Sequence, residues 1–186
     1  MSKSIRFLSR LACVATILVV AGCSETSKLF ERDTIQVACP PMGALKEAEE
    51  LTRFRLGDGR DLTDVAFEAK IGRVVGKCEV KQSESLAKIQ AGFEFFGERG
   101  PALDKAETPL KYFVAVKAPN GKIARREAYD VSLVFDGGAQ EARAVDYLFL
   151  EIPDATPAAL RAYQIYVGLQ MTREEFAFSQ RGQRRR

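Results

Sequence analysis

Apolar and polar side chains alternate over most of the chain after residue 64, and this period of two is the feature that most constrains its fold. Successive side chains of a β-strand point to opposite faces, so the alternation predicts strands that bury one face. The predicted core-facing residues are Val65, Phe67, Ala69 and Ile71, then Ile89, Ala91, Phe93 and Phe95, then Tyr112, Val114 and Val116, then Tyr129, Val131, Leu133 and Phe135, and finally Tyr163, Ile165, Val167, Leu169 and Met171.

Turn signals divide these strands. Residues 119–122 (PNGK) predict a tight hairpin, because Asn and Gly adopt the backbone angles that such turns need. Gly72 and Gly76 predict a bend or bulge inside the first long strand. About seven strands with no interleaved helices predict a mainly β fold, a single antiparallel β-sandwich of the immunoglobulin or fibronectin type. A small barrel is the alternative.

One predicted strand is apolar on both faces. Val145, Tyr147 and Phe149 share one face of this strand, while Leu148 and Leu150 point to the other face. Strands that read as nearly continuous apolar runs are typical of sheets covered on both sides. We therefore expect this strand to be covered on both faces.

Two segments favour helix. Residues 42–54 contain good helix formers, with Leu45, Ala48 and Leu51 at near-helical spacing, and predict a short helix or turn. Thr172 followed three residues later by Glu175 fits a capping box and predicts a short C-terminal helix. Residues 180–186 are rich in arginine and have no apolar anchor, so they predict a disordered basic tail that is either solvated or attracted to anionic lipid headgroups.

The N-terminus has the charge and hydropathy order of a secretory signal. Three basic residues precede the apolar run at 11–20, which is too short to span a bilayer. Residues 20–23 (VAGC) then resemble the lipobox of bacterial lipoproteins. The resemblance implies diacylglyceryl transfer to the Cys23 thiol, cleavage between Gly22 and Cys23, and acylation of the new amino group. The alternative is an ordinary signal peptide with a chance cysteine at its cleavage site.

A lipid-modified Cys23 predicts where the chain resides. Two or more acyl chains hold a protein stably at a membrane, whereas one binds reversibly. Ser24 stands where an Asp would resemble an inner-membrane retention signal, so the periplasmic leaflet of the outer membrane is favoured over the inner membrane. Residues 1–22 are then the lipoprotein signal peptide, 23–38 the lipidated N-terminus and tether, and 39–179 the sandwich domain, whose start is marked by Cys39 and two prolines.

The remaining cysteines predict a disulfide. Cys13 leaves with the signal and Cys23 carries lipid, so Cys39 and Cys78 are two thiols in an oxidising compartment. A metal site is the competing interpretation, but the spacing is wrong for one and the chain has no histidine. Closing this loop should stabilise the fold by roughly 3–4 kcal/mol on the chain-entropy model.

Net charge argues against a nucleic-acid partner. The whole chain has 28 basic and 25 acidic residues, and three of the basic residues lie within residues 1–22. The rest of the chain therefore has 25 of each and is formally neutral. A neutral, exported domain lacks the basic surface that binds nucleic acid.

Catalytic signatures are missing from the sequence. Without histidine, Ser-His-Asp, Cys-His and histidine-ligated metal chemistry are excluded, and no phosphate-binding or nucleophile-elbow motif occurs. Asp58, Asp61 and Asp64 lie in a glycine-containing loop that suits calcium in composition but not in spacing, and an ordinary turn is favoured. We therefore predict no catalytic residue, no metal site and no cofactor.

Six short stretches together resemble a group of small lipoproteins of α-proteobacteria. They are residues 39–40 (CP), 51–54 (LTRF), 61–65 (DLTDV), 99–102 (RGPA), 112–116 (YFVAV) and 167–172 (VGLQMT). The resemblance covers nearly the whole chain after the signal. It implies a lipoprotein and implies no mechanism, because none of these stretches is a catalytic signature.

These observations favour a non-enzymatic lipoprotein that serves as an interaction or assembly module, with a protein partner in the cell envelope. Exposed sheet edges are ready docking sites for such a partner. The first alternative is a carrier or sensor that holds a small apolar ligand between the sheets. The second is a carboxylate-dependent cell-wall hydrolase, which needs two carboxylates facing each other across a cleft. Rings that would line a carrier's cavity are Phe93, Phe95, Phe96, Phe113 and Phe149.

Overall fold

A computed structural model describes residues 33–57 and 59–183, which contain nine strands in two sheets. The strands are β1 Thr34–Val37, β2 Met42–Ala44, β3 Glu50–Phe54, β4 Val65–Lys81, β5 Leu86–Arg99, β6 Glu107–Lys117, β7 Ile123–Val134, β8 Glu141–Ile152 and β9 Gln164–Leu169. Two helices, α1 Pro157–Leu160 and α2 Arg173–Gln183, follow β8 and β9 respectively. The predicted β-sandwich with a short C-terminal helix is confirmed.

Sheet I has the order β1-β4-β5-β8, and β3 also pairs with β4; sheet II has the order β2-β9-β6-β7. The pairs β3–β4, β4–β5, β5–β8, β6–β7 and β6–β9 are antiparallel, whereas β2 runs parallel to β9. β8 and β7 are therefore edge strands of sheets I and II respectively. They lie close together along one side of the sandwich.

Aromatic side chains of the two sheets meet in the core. The rings of Phe93 and Phe95 on β5 lie 5.9 and 4.8 Å from the ring of Tyr112 on β6, and all three are fully buried. Burial of each such side chain stabilises the fold by about 1.5–3 kcal/mol. Every run of core-facing residues predicted from the period of two contributes to this core or packs against it.

The predicted turns are present. The register of β4 against β5 shifts between Ile71 and Val74, which confirms the bulge predicted from the two glycines. The β6–β7 hairpin turns at residues 118–122, where Gly121 has a φ of +81° and the Lys122 N–H donates to Asn120 Oδ1 at 3.0 Å. Only glycine adopts such a φ without strain.

The disulfide joins Cys39, in the segment between β1 and β2, to Cys78 in β4, with the two Cα atoms 5.2 Å apart. The Cys78 side chain is buried in the core, and Cys39 packs against it from the edge. The bond thus fixes the beginning of the domain to the long strand of sheet I. The disulfide predicted from the two cysteines is confirmed.

Residues 42–54, predicted to form a short helix or turn, are mostly β-strand, so the helix alternative is wrong. This segment contains β2, a short 3₁₀ turn at Lys46–Ala48, and β3. β3 pairs with the first part of β4, which places Leu51 opposite Ala69 and buries it. Helix propensity differs by only a few tenths of a kcal/mol per residue, so pairing and burial outweigh it.

Both ends of the predicted domain also differ. Residues 34–37 were expected in the tether but form β1, whose Ile35 and Val37 pack against the core. Residues 180–183 were expected in the disordered tail but continue α2, where Gln180 Nε2 donates to the Glu47 carbonyl at 3.2 Å. The signal peptide, Gly22, Cys23 and residues 184–186 lie outside the described residues.

Helix α2 begins with the predicted capping box. The Thr172 N–H donates to Glu175 Oε2 at 2.8 Å, and the Glu175 N–H donates to Thr172 Oγ1 at 3.2 Å. Glu175 also pairs with Arg53 on β3 at 2.8 Å, and the rings of Phe178 and Phe54 meet edge to face. These contacts hold α2 against β3.

Candidate interaction surface

The outer face of β8 is apolar and exposed, so the prediction that this strand is covered on both faces is wrong. Val145 is 46%, Tyr147 60% and Phe149 77% exposed, whereas Leu150 on the inner face is buried. The prediction failed because apolar residues on both faces do not reveal whether a second layer covers the outer one. β8 is an edge strand, and among the described residues no helix or strand lies over these three side chains.

A fourth exposed residue, Val75, extends this surface across the sheet. Val75 on β4 and Tyr147 on β8 lie on either side of Gly92 on β5, in register. A Cβ at Gly92 would lie 2.9 Å from the Tyr147 ring and 3.1 Å from Val75, so both side chains lie close over the glycine. We call Val75, Val145, Tyr147 and Phe149 the apolar strip.

Charged pairs bound the apolar strip at both ends. At one end Arg143 forms an ion pair with Glu94, whose side chain is almost fully buried. At the other end Lys88 lies 3.9 Å from Glu151. An apolar centre with a charged rim is the typical composition of a protein-binding patch, whereas single exposed apolar residues are ordinary.

The open backbone edge of β8 adjoins the strip. On its free side the Tyr147 N–H donates to Asp146 Oδ1 at 2.8 Å. The other oxygen of Asp146 accepts from the Tyr112 hydroxyl at 2.6 Å. Asp146 therefore connects the edge of sheet I to the core residue Tyr112 of sheet II.

Two tyrosines fill the gap between the sheet edges. The rings of Tyr112 and Tyr129 stack with centroids 5.5 Å apart, and the Tyr129 hydroxyl donates to Glu127 at 2.7 Å. Burial and the hydrogen bond to Asp146 raise the pKa of Tyr112 well above its ordinary value. Burial and Glu127 raise the pKa of Tyr129 to about 12. Tyr112 on β6 therefore links the two edges, because its hydroxyl bonds Asp146 on β8 and its ring stacks on Tyr129 of β7.

A second surface feature is a groove of about 890 Å³ between α2 and the outer face of sheet I. Its floor holds Glu68, Glu98 and Glu141 in direct register on β4, β5 and β8. The α2 wall contributes Phe178 and Ser179. Glu68, Glu98 and Glu141 thus stand side by side across the sheet, and Glu50 on β3 also lines the groove, where it pairs with Lys70 at 3.1 Å.

The five rings proposed to line a carrier's cavity face different regions. Phe93 and Phe95 are buried in the core, Phe96 and Phe149 lie on the outer face of sheet I, and Phe113 lies on the outer face of sheet II against Arg126 and Gly168. The rings therefore do not line one common cavity.

The aspartate-containing loop has a structural role in the described residues. Asp64 is buried, forms an ion pair with Arg55, and accepts from the Asp61 N–H at 3.3 Å. Asp61 in turn accepts from the Thr63 N–H at 2.7 Å, and its hydrogen bonds with Thr63 lower the pKa of its carboxyl. Asp58 lies outside the described residues, and within the described ones no three acidic or cysteine side chains group as metal ligands.

Comparisons of the chain with protein-family profiles, with curated protein sequences and with solved structures give no significant match. No helix in the described part of the chain has the length and apolar character to cross a membrane.

Proposed function

We propose that this chain is a lipoprotein, anchored through lipid on Cys23 and facing the periplasm, whose domain acts as a non-enzymatic interaction module in the cell envelope. The outer membrane is the favoured location, because Ser24 follows the lipid-bearing cysteine. The apolar strip is the surface through which the domain docks to a protein. The exposure of Val145, Tyr147 and Phe149 beside an open strand edge is the observation that carries this proposal.

The composition of the surface supports docking over catalysis. The apolar strip reaches from β8 across Gly92 of β5 to Val75 on β4, and the charged pairs at its ends can exchange partners with a docking protein. The groove beneath α2 is also lined by carboxylates, but Glu50 pairs there with Lys70 and Glu68 accepts from the Thr52 hydroxyl, as ordinary surface carboxylates do. The dispersal of the five phenylalanine rings also favours docking over transport of a small apolar ligand.

The location is tested separately from the docking surface. Cys23→Ala should abolish labelling by a palmitate analogue and leave a precursor that retains residues 1–22. Cys13→Ala is the matched control, because it removes a cysteine of the same segment and should leave labelling intact. Labelling that persists without Cys23 would contradict the anchor.

The docking surface is tested by crosslinking in cells. A photoreactive phenylalanine analogue replaces Phe149 on the apolar strip or, as the control, Ala128 on the outer face of sheet II, which is also exposed. We expect one adduct of defined mass from position 149 and none from position 128. The absence of an adduct at position 149, or the same adducts at both positions, would contradict the proposal.

A further inference from the structure

We infer that the open edge of β8, with Val145, Tyr147 and Phe149 of the apolar strip, pairs with the same edge of a second copy of this chain, so that two sheets I join into one continuous sheet across a two-fold axis at Tyr147. This inference rests on the proposed function and names the partner that docks. The charge pattern along β8 carries it.

The outer face of β8 reads Glu141, Arg143, Val145, Tyr147, Phe149 and Glu151. Two antiparallel copies centred on Tyr147 place Arg143 of each opposite Glu151 of the other. The same register sets Val145 opposite Phe149 and Tyr147 opposite itself. Opposite-charge, aromatic–β-branched and aromatic–aromatic cross-strand pairs each stabilise a sheet.

Neighbouring registers lack this match. The outer-face residues of the two copies remain opposite one another only if the two-fold axis moves along β8 by whole residues. Each move of the axis by one residue shifts the residue opposite Arg143 by two positions. Centring on Asp146 sets Glu141 opposite Glu151, two like charges. Centring on Val145 sets Arg143 opposite Tyr147, and centring on Leu148 sets Glu151 opposite Val145. Only the axis at Tyr147 pairs opposite charges and places Val145, Tyr147 and Phe149 in cross-strand contact with one another.

The backbone of β8 is oriented for this pairing. The Tyr147 N–H points away from β5, because it donates to Asp146 and not to the ladder. In an antiparallel ladder such outward-facing residues alternate, so Val145 and Phe149 also present their N–H and C=O groups to the open edge. Pairing requires Tyr147 to exchange its bond with Asp146 for one with the partner copy, while Asp146 keeps its bond from Tyr112.

Arg143 and Glu151 can each form a further ion pair with a second copy. Glu151 is 3.9 Å from Lys88, a separation longer than a hydrogen bond. Arg143 pairs with Glu94 through one terminal nitrogen, and its side chain is 63% exposed. A guanidinium carries five N–H donors, so Arg143 can bind Glu94 and Glu151 of a second copy together. An isologous contact of this kind closes as a dimer and does not propagate.

Charge reversal tests the register in the full chain expressed with its own N-terminus. In Glu151→Lys and in Arg143→Glu both cross-strand ion pairs become like-charge pairs, so each variant should self-associate about tenfold more weakly than the unchanged chain. Mixing the two variants re-creates one Arg–Glu and one Lys–Glu pair, and differently tagged copies should form a heterodimer. Failure of the mixture to associate better than either variant would overturn the inference.

A cysteine pair tests the axis independently of Arg143, whose reversal also removes the partner of Glu94. In Tyr147→Cys the two thiols meet on the axis, and mild oxidation should link two copies about tenfold faster than in Val145→Cys, where position 149 is opposite. Equal linking in the two variants would overturn the inference.

The photoreactive analogue at Phe149 separates this inference from the proposed function. An adduct of twice the chain's mass supports pairing with a second copy. An adduct with another protein overturns the pairing and leaves the docking function standing. No adduct at all overturns both.

Discussion

Strands β7 and β8 occupy equivalent positions, at the neighbouring edges of the two sheets, yet their outer faces differ. The outer face of β7 presents Arg126, Ala128, Asp130 and Ser132, all exposed and polar or small, and one large apolar side chain, Val134, at the end of the strand. The outer face of β8 presents the valine, tyrosine and phenylalanine of the apolar strip. Water solvates the first surface at no cost, whereas the second leaves large apolar side chains in water.

The difference teaches that edge position and side-chain alternation do not determine which surface binds. Both strands alternate with a period of two and bury their inner faces, through Leu133 on β7 and Leu150 on β8. Both edges are also connected to the core, because Tyr129 of β7 and Asp146 of β8 contact Tyr112. Only the composition of the exposed face distinguishes the two strands.

Removal of the disulfide should have the largest effect, and it should destabilise the whole domain, including both β7 and β8. Replacing Cys39 and Cys78 by alanine together removes the constraint on the unfolded chain and should lower the free energy of unfolding by about 3–4 kcal/mol. Urea denaturation followed by circular dichroism measures this. The unchanged chain under reducing conditions is the control, and a loss below about 1 kcal/mol would show that the bond contributes little to stability.

Substitutions on the two faces of β8 should differ in their effect on stability. Leu150→Ala opens a cavity in the core and should cost about 2–5 kcal/mol in the free energy of unfolding. Phe149→Ser, at the adjacent residue, should change stability by at most about 0.5 kcal/mol but reduce crosslinking from position 147. If Phe149→Ser destabilised the fold as much as Leu150→Ala, the strip would be part of the core and not a docking surface.

Alkaline pH should loosen the contact between β7 and β8. The folded protein raises the pKa of Tyr112 and of Tyr129, the latter to about 12, from a value of 10.0 in the unfolded chain. Above about pH 10 the unfolded chain loses phenolic protons that the folded chain retains, so the free energy of unfolding falls as pH rises from there through about pH 12.

Urea midpoints measured between pH 8 and pH 12 test this fall. Tyr112→Phe should lessen it, whereas Tyr147→Phe on the exposed strip should leave it in place. A fall of the same steepness in the unchanged chain and in Tyr112→Phe would assign the alkaline instability to other groups.

The smallest effect should come from the outer face of β7. Asp130→Ala removes an exposed ion pair with Lys111, at 3.6 Å, and should cost at most about 1 kcal/mol. Capture from position 149 should remain unchanged, because Asp130 faces away from β8. Reduced capture in Asp130→Ala would show that the docking surface extends over β7 and that the contrast between the two edges is false.

The sequence predicted those parts of the structure that depend on local patterns. The period of two, the PNGK turn, the capping box at Thr172 and the Cys39–Cys78 pair each reflect chemistry within a few residues or the redox compartment. Helix propensity gave the wrong prediction for residues 42–54, because long-range pairing of β3 with β4 determines the conformation of that segment.

The candidate surface could not be predicted, because it depends on strand order. Val145, Tyr147 and Phe149 were visible as an apolar row, but only the position of β8 at the edge of sheet I leaves them uncovered. The sequence around Gly92 does not predict that this residue lies beneath the Tyr147 ring. That position follows only from the register of three strands. The presence of apolar residues on both faces of β8 was the one sequence signal for this surface. It predicted that a second layer of the fold covers the outer face of β8.

Cysteine accessibility in isolated cell envelopes tests whether the domain docks through β8. Val145→Cys places a thiol on the apolar strip, and Ala128→Cys places one on the outer face of β7, both at positions that are exposed in the isolated domain. We predict that a soluble maleimide labels position 145 at least tenfold more slowly than position 128 in the envelope, and that the two rates become equal after the chain is solubilised and diluted. Equal rates in the envelope would contradict docking through β8.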